Sequence, residues 1–201
     1  TWTPRGSTVR SPKATCTAKR PESEATIDWS AANNIPLEPE TMDMLLEDAL
    51  AAFERLPRLY KTNRVVGADA RYALPLQMIC SHATHSVFAD NMFRPTTPEV
   101  FEQSIFKDRP FTLVSLPYEK LDPARYEGRL RVDPRLGHTS TMAVAVDFDR
   151  RIGVVYGSAY CGSNKKLIFT VMNYMLPAEG ILPLHCSANE GDEGDSALLL
   201  G

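Results

Sequence analysis

No stretch of 18 consecutive apolar residues occurs in this 201-residue sequence, so no transmembrane helix is expected. No charged-then-apolar opening suggests a secretory leader either. Positive charge is not in excess. Twenty-two Lys and Arg against 25 Asp and Glu leave a net charge of -3, which argues against a general nucleic-acid binder. The four cysteines, Cys16, Cys80, Cys161 and Cys186, lie far apart and form no Cys-x-x-Cys pair. That excludes a zinc ribbon and a disulfide framework, and makes reduced thiols in a cytoplasmic setting the expectation. Internal repeats and low-complexity runs are also missing. With 43% hydrophobic and 23% charged residues, the composition is that of a globular protein with a sizeable core.

What is present reads as alternating helices and strands. Residues 1–37 are polar and punctuated by prolines, and are expected to form loop and short extended pieces. The first clear helix is 39–56, where Met42, Leu45, Leu46, Leu50 and Phe53 recur at helical spacing and Pro57 stops the run. Strands are expected at 60–66 and 72–78, the second pushed toward a sheet edge by Pro75. A helix over 81–93 would turn Val87, Phe88, Met92 and Phe93 inward, and a short helix follows Thr97 and Pro98. A strand at 111–116 and a long loop over 117–139 come next. Two apolar runs, 142–148 and 152–156, are split by Asp149, Arg150 and Arg151 in a hairpin pattern. A helix over 166–176 ends at Pro177, and strands at 181–187 and 197–200 flank an acidic turn. The class is therefore α/β or α+β.

Several residues suggest chemistry. Lys165 and Lys166 sit where a helix begins, the electrostatically unfavourable end for a cation. Their placement becomes useful if the site holds an anion, because backbone N–H groups point outward there too. His185 lies in an apolar stretch and reads either as a core histidine or as a metal ligand. Arg10 reads either as a solvated arginine or as a clamp for a carboxylate or phosphate. His82 and His85, near Cys80, are spaced to share a helix face. No third ligand follows at a recognised spacing, so ordinary packing is expected. The acidic run 190–195 lacks the full calcium-loop pattern and is expected to be a hairpin turn. Gly201 follows an expected strand, the position at which a P-loop opens, but supplies only the first residue of that pattern. The chain starts with Thr1 and closes on an apolar run, which reads as a piece of something longer.

The ordered segments Arg10-Ser11-Pro12-Lys13, Asp90-Asn91-Met92-Phe93, Tyr160-x-Gly162-x-x-Lys165-Lys166, Met172-Asn173-Tyr174 and His185-Cys186-Ser187-Ala188-Asn189 together resemble the ATP-dependent phosphoenolpyruvate carboxykinases. The resemblance implies an α/β fold. Its N-terminal domain would cover 1–178, and the first strands of a P-loop-containing C-terminal domain would cover 179–201. It implies an ATP-binding lyase that converts oxaloacetate and ATP into phosphoenolpyruvate, ADP and CO2 in gluconeogenesis. A cytoplasmic location follows, with neither nucleic acid nor membrane as a partner. Position by position, Arg10 resembles the arginine on the substrate carboxylate, and Tyr160 the tyrosine beside the phosphoenolpyruvate or CO2 site. Lys165 resembles the lysine on the transferred phosphate, Lys166 and His185 resemble ligands of Mn2+, and Gly201 resembles the first P-loop glycine. Lys166 would also touch substrate. Most contacts to ATP and its Mg2+ would lie beyond Gly201, so the 201 residues alone are expected to be inactive.

The implied roles are physically coherent. Decarboxylation of oxaloacetate leaves an enolate whose charge needs a fixed cation. A lysine ligates a metal only as the neutral amine, a form that an adjacent cation, the metal charge and partial burial all favour. Two departures stand out: Ser163 where the family usually has Glu, and Val9 where it usually has Gly. Two other functions stay open on the residues. One is a non-catalytic carboxylate- or phosphate-binding module of the same fold. The other is a metal-dependent decarboxylase that needs no nucleotide.

Overall fold

The computed structural model describes residues 15–133 and 137–200. Its described part divides into one unit up to Ile168 and a second from Phe169 onward. The segment expected to be mostly loop holds β1 (Thr15–Ala18), α1 (Pro21–Thr26) and β2 (Ile35–Leu37). The helix α1 is only six residues long, and its start is fixed from outside the segment. The Asp149 carboxylate accepts from the backbone N–H groups of Glu22 (2.9 Å) and Ser23 (3.0 Å), two donors that a first turn cannot satisfy internally. That partner lies 127 positions away in sequence, which is why local reading misses the helix.

Helix α2 (Pro39–Arg55) matches expectation to one residue, with proline in its first turn and Arg55 in its last. Its buried stripe is Met42, Leu45, Ala49 and Ala52, at spacings of three and four. Leu50, expected inside, is 62% exposed, and the two alanines take the inner face instead. Strands β3 (Tyr60–Val66) and β4 (Leu74–Cys80), helix α3 (Ala83–Met92), the two-residue β5 (Arg94–Pro95), α4 (Pro98–Gln103) and β6 (Phe111–Leu116) follow. The side chain of Thr97 accepts from Val100 N–H at 3.3 Å and caps α4. Strands β7 (Ala143–Asp147) and β8 (Ile152–Tyr156) form the expected antiparallel hairpin.

Eight strands make one mixed sheet in the order β2-β1-β7-β8-β6-β4-β3-β5. Its middle is parallel: β4 pairs with β6, and β6 with β8. Strand β4 is thus interior, not the edge that Pro75 suggested. The register explains how proline is accommodated. Pairing with β6 begins at Leu76, so Pro75 has a strand only on its β3 side, opposite Val65. Where its missing N–H would matter, there is no neighbour to bond. Met42, Leu45, Ala49 and Ala52 of α2 join Val114, Leu116, Val154 and Tyr156 of the sheet in one apolar cluster.

Helix α5 (Gly162–Met175) begins four residues before the expected start. The apolar periodicity of Leu167, Ile168, Val171, Met172 and Met175 does not extend into its polar first turn, so that turn is invisible to periodicity. In the second unit a 3-10 turn (Leu176–Glu179) closes on Gly180. An antiparallel pair follows, β9 (Cys186–Glu190) and β10 (Ser196–Leu200). The acidic run closes this hairpin, with Gly191 N–H donating to Asp195 O at 2.8 Å.

One buried carboxylate ties distant pieces of the first unit together. Asp147, fully buried, accepts from Arg20 Nε (2.9 Å) and Arg150 Nε (2.6 Å), and both arginines also reach Asp43 on α2 at 2.7 Å. Removing Asp147 takes from both guanidinium groups their buried partner and leaves them Asp43, which is half-exposed and screened by solvent. Asp147→Ala is expected to lower unfolding free energy by about 2–3 kcal/mol in a urea titration. Asp43→Ala should cost about 1 kcal/mol or less. Equal losses would show that burial of Asp147 does not set its contribution.

Candidate active site

The parallel run β4, β6, β8 sends its three C-terminal ends to one edge of the sheet, the usual ligand edge of α/β sheets. The loops leaving those ends meet there. After β4, Ser81 Oγ donates to Glu119 Oε2 (3.1 Å), which follows β6 and also accepts from Tyr118 N–H (3.3 Å). The rings of His82 and Tyr118 pack edge to face with centroids 4.8 Å apart. After β8, the chain turns through Gly157 at φ 75, where an added Cβ would lie 2.9 Å from Thr141 O. Only glycine meets both demands.

This turn delivers Tyr160, Lys165 and Lys166 to the same corner. Ser163 N–H donates to Tyr160 O (2.9 Å) and Asn164 N–H to Cys161 O (3.1 Å), starting α5. The side chains of Ser158 and Ser163 bridge the corner at 2.7 Å. Tyr160 folds its ring over Gly162, where a Cβ would sit 2.6 Å from the tyrosine hydroxyl. The glycine therefore leaves room for an aromatic lid on the first turn. Lys165 is exposed and Lys166 half-buried, and no acidic residue occupies the first turn of α5. The corner thus gathers two amines at the positive end of a helix, an arrangement able to hold an anion.

Beneath it lies a polar pair that sequence reasoning read differently. His85, expected as ordinary packing and weighed as a metal ligand, is fully buried on the inner face of α3. Val87 and Met92, expected inward, are exposed at 59% and 43%, and His85 with Ala89 takes their place. The His85 Nε2 lies 3.2 Å from Ala159 O, and its Nδ1 lies 3.2 Å from Asn164 Nδ2. With both ring nitrogens engaged, His85 is not a metal ligand here. Among the described residues no three His, Cys, Asp or Glu side chains gather as a metal site.

The remaining sequence-predicted residues are less constrained. His185 belongs to the second unit and is exposed just before β9, not within a strand and not in a core. Its ring packs edge-on against Phe169 at 5.3 Å. Arg10 and Gly201 lie outside the described residues. The thiols bordering the corner are subdued. Burial pushes Cys80 up to about 11 and raises Cys161 as well, so both stay protonated and weakly nucleophilic at neutral pH. No disulfide joins the four cysteines.

A family model described as phosphoenolpyruvate carboxykinase matches residues 3–201. This chain belongs to that family. Among its relatives is the phosphoenolpyruvate carboxykinase (ATP) of Geobacillus kaustophilus, 39% identical over 195 residues, covering 96% of this chain and 34% of the relative. The phosphoenolpyruvate carboxykinase (ATP) of Agrobacterium fabrum is 39% identical over 197 residues, covering 96% of this chain and 33% of its own. That of Deinococcus radiodurans is 37% identical over 195 residues, at 96% and 38%. The chain therefore spans about a third of the length of the relatives it matches. The mixed α/β architecture agrees with the fold expected for the N-terminal region of a phosphoenolpyruvate carboxykinase. Among the described residues no helix is long and apolar enough to cross a membrane.

The buried histidine beneath this corner gives a pH signature. Burial pushes His85 down to about 4, against the opposing effect of its bond to Ala159 O and with a lesser contribution from His82. Between pH 6.5 and 4 the unfolded chain takes up a proton that the folded chain refuses. Stability due to the neutral ring is thus complete above 6.5 and is lost as pH falls toward 4. The expected loss is on the order of 3 kcal/mol. Denaturant unfolding from pH 7 to 4 should show it in the wild type and not in His85→Phe. Parallel pH curves for the two would contradict a neutral buried ring.

Proposed function

We propose that this chain is the N-terminal part of an ATP-dependent phosphoenolpyruvate carboxykinase, acting on oxaloacetate and ATP to give phosphoenolpyruvate, ADP and CO2. The observation that carries the reading is the corner between β8 and α5. The family's Tyr160-x-Gly162-x-x-Lys165-Lys166 pattern coincides there with a helix start at the C-terminal edge of a parallel sheet. The domain limit is placed after residue 178, with 179–201 opening the nucleotide-binding domain. A cytosolic setting in gluconeogenesis fits the absence of a disulfide among the four cysteines.

The residues divide the work by charge. In oxaloacetate the bond to the departing carboxylate breaks, its electron pair moves to form the enolate, and CO2 leaves. The enolate oxygen then attacks the γ-phosphorus of ATP, and ADP departs. Lys165, exposed at the helix start, offers a cation and three N–H donors to the enolate oxygen and to the phosphoryl group in flight. The positive end of the α5 dipole adds fixed potential without having to reorganise. Tyr160, held over Gly162, presents its hydroxyl to the carboxylate that becomes CO2, and Arg10 clamps the carboxylate that stays.

Lys166 and His185 are the proposed nitrogen donors for Mn2+. The donor chemistry, one imidazole and one half-buried amine, fits a borderline divalent ion. When bound, Mn2+ supplies Lewis-acid stabilisation of developing oxyanion charge. ATP would come with Mg2+ and be held through the P-loop of which Gly201 is the proposed first residue.

The test uses the protein expressed with the coding sequence that follows Gly201. Given oxaloacetate, ATP and Mn2+, it should form phosphoenolpyruvate, and none should form without ATP. His185→Ala and Lys166→Ala should each lower kcat by about 100-fold or more. Parental activity in His185→Ala would remove that residue from the mechanism. Release of CO2 without nucleotide would replace the proposal with a simple decarboxylase.

A further inference from the structure

We infer that His85 is a positioning residue for the lysine pair. As the Nε2–H tautomer it locks the turn before α5 and the first turn of α5 onto α3, and so fixes where Lys165 and Lys166 stand. The inference rests on the reading of this corner as the active site. It adds a residue from a different helix, some 80 positions away in sequence, that touches neither substrate nor metal.

The tautomer follows from hydrogen-bond logic. A carbonyl oxygen only accepts, so the Nε2 that lies 3.2 Å from Ala159 O carries the proton. In a neutral imidazole the other nitrogen is then bare. Nδ1 must accept, and the group facing it at 3.2 Å must be the N–H of the Asn164 amide, not its oxygen. Asn164 pays a visible penalty for this orientation: its Oδ1 is buried and finds no partner among the described residues. Turning the amide over would set that oxygen against the bare Nδ1. The ring therefore dictates the amide, and the amide stands immediately before Lys165 in the first turn of α5.

The two bonds clamp both sides of the corner. Ala159 immediately precedes Tyr160, and Asn164 immediately precedes the lysine pair, so one ring holds the ends of the six-residue turn 159–164. His82, one turn earlier, accepts from Thr84 N–H through its Nδ1 (3.4 Å) and caps α3, while its ring rests on Tyr118. Tyr118 also packs edge-on to His85, with centroids 6.3 Å apart. The imidazole thus has little freedom to rotate out of register. The burial of His85 and Asn164 keeps water from competing for either bond.

The experiment compares the 201-residue chain with three variants by NMR. In the wild type at pH 7, long-range nitrogen–proton correlations should show His85 protonated at Nε2 and bare at Nδ1. His85→Phe keeps a flat ring of similar size but neither bond. Amide exchange at Lys165 and Lys166 should then quicken by about tenfold, with exchange at Val146 in β7 unchanged. His85→Asn retains an acceptor for Asn164 and should return Lys165 and Lys166 to within about threefold of wild type. His85→Gln retains only the donor to Ala159 and should not restore them. An Nδ1–H tautomer in the wild type would overturn the proposal even if every variant failed to fold. So would unchanged exchange at the lysines in His85→Phe, or an equal rise at Val146, which would mark a merely structural residue. None of these readings depends on turnover. A failure to make phosphoenolpyruvate with intact exchange behaviour would count against the proposed function and leave the positioning role standing.

Discussion

The parallel pairing of β4, β6 and β8 is the constraint on which the first unit depends. Parallel strands cannot return through tight hairpins, so each must leave the sheet at the same edge and come back by a longer path. Three loops are thereby forced into one place, and the ring, hydroxyl and carboxylate contacts among Ser81, His82, Tyr118 and Glu119 follow from that crowding. Helix α2 covers the sheet with Met42, Leu45, Ala49 and Ala52, and the Asp147 cluster fastens β7 to α1 and α2 at the turn end of the β7–β8 hairpin. The scaffold is rigid where the corner needs support.

At the corner itself the chain accepts an electrostatic cost. Two lysines in the first turns of α5 oppose the helix dipole, at roughly 0.3–1 kcal/mol for each charge. An anion bound there reverses the sign, since both amines and the positive end of the helix dipole then act together. A carboxykinase handles a dicarboxylate, a departing carboxylate and a phosphoryl group, so such an arrangement suits the family to which the chain belongs. The polar floor of His85 and Asn164 supports it from below with directional bonds where apolar packing would leave the turn free to slide.

Much of this was legible in the sequence wherever local pattern and tertiary structure agree. Helix α2 carries its own period, its initial proline and its stop, and the split between 142–148 and 152–156 is a plain hairpin. Lys165 and Lys166 announced the anion corner because cations at a helix start need a reason. The misreadings share one cause, a partner remote in sequence. The helix α1 needs Asp149, interior β4 tolerates Pro75 because its pairing with β6 begins only at Leu76, and the inner face of α3 carries His85 because Asn164 and Ala159 stand opposite it. Apolar counting put Val87 and Met92 inside and expected only ordinary packing of His82 and His85, since it could not see what stood opposite. The early start of α5 was hidden for the same reason: its first turn is polar and turns Asn164 onto a buried ring, not onto an apolar core.

The most direct test of the central claim, that the β8–α5 corner is an anion site, is a titration of the isotopically labelled chain with phosphoenolpyruvate, read at the backbone amides. The account predicts saturable shifts concentrated at residues 160–166, with the strands of the sheet centre unmoved. Shifts absent at that corner, or spread over surface lysines elsewhere without saturation, would contradict it.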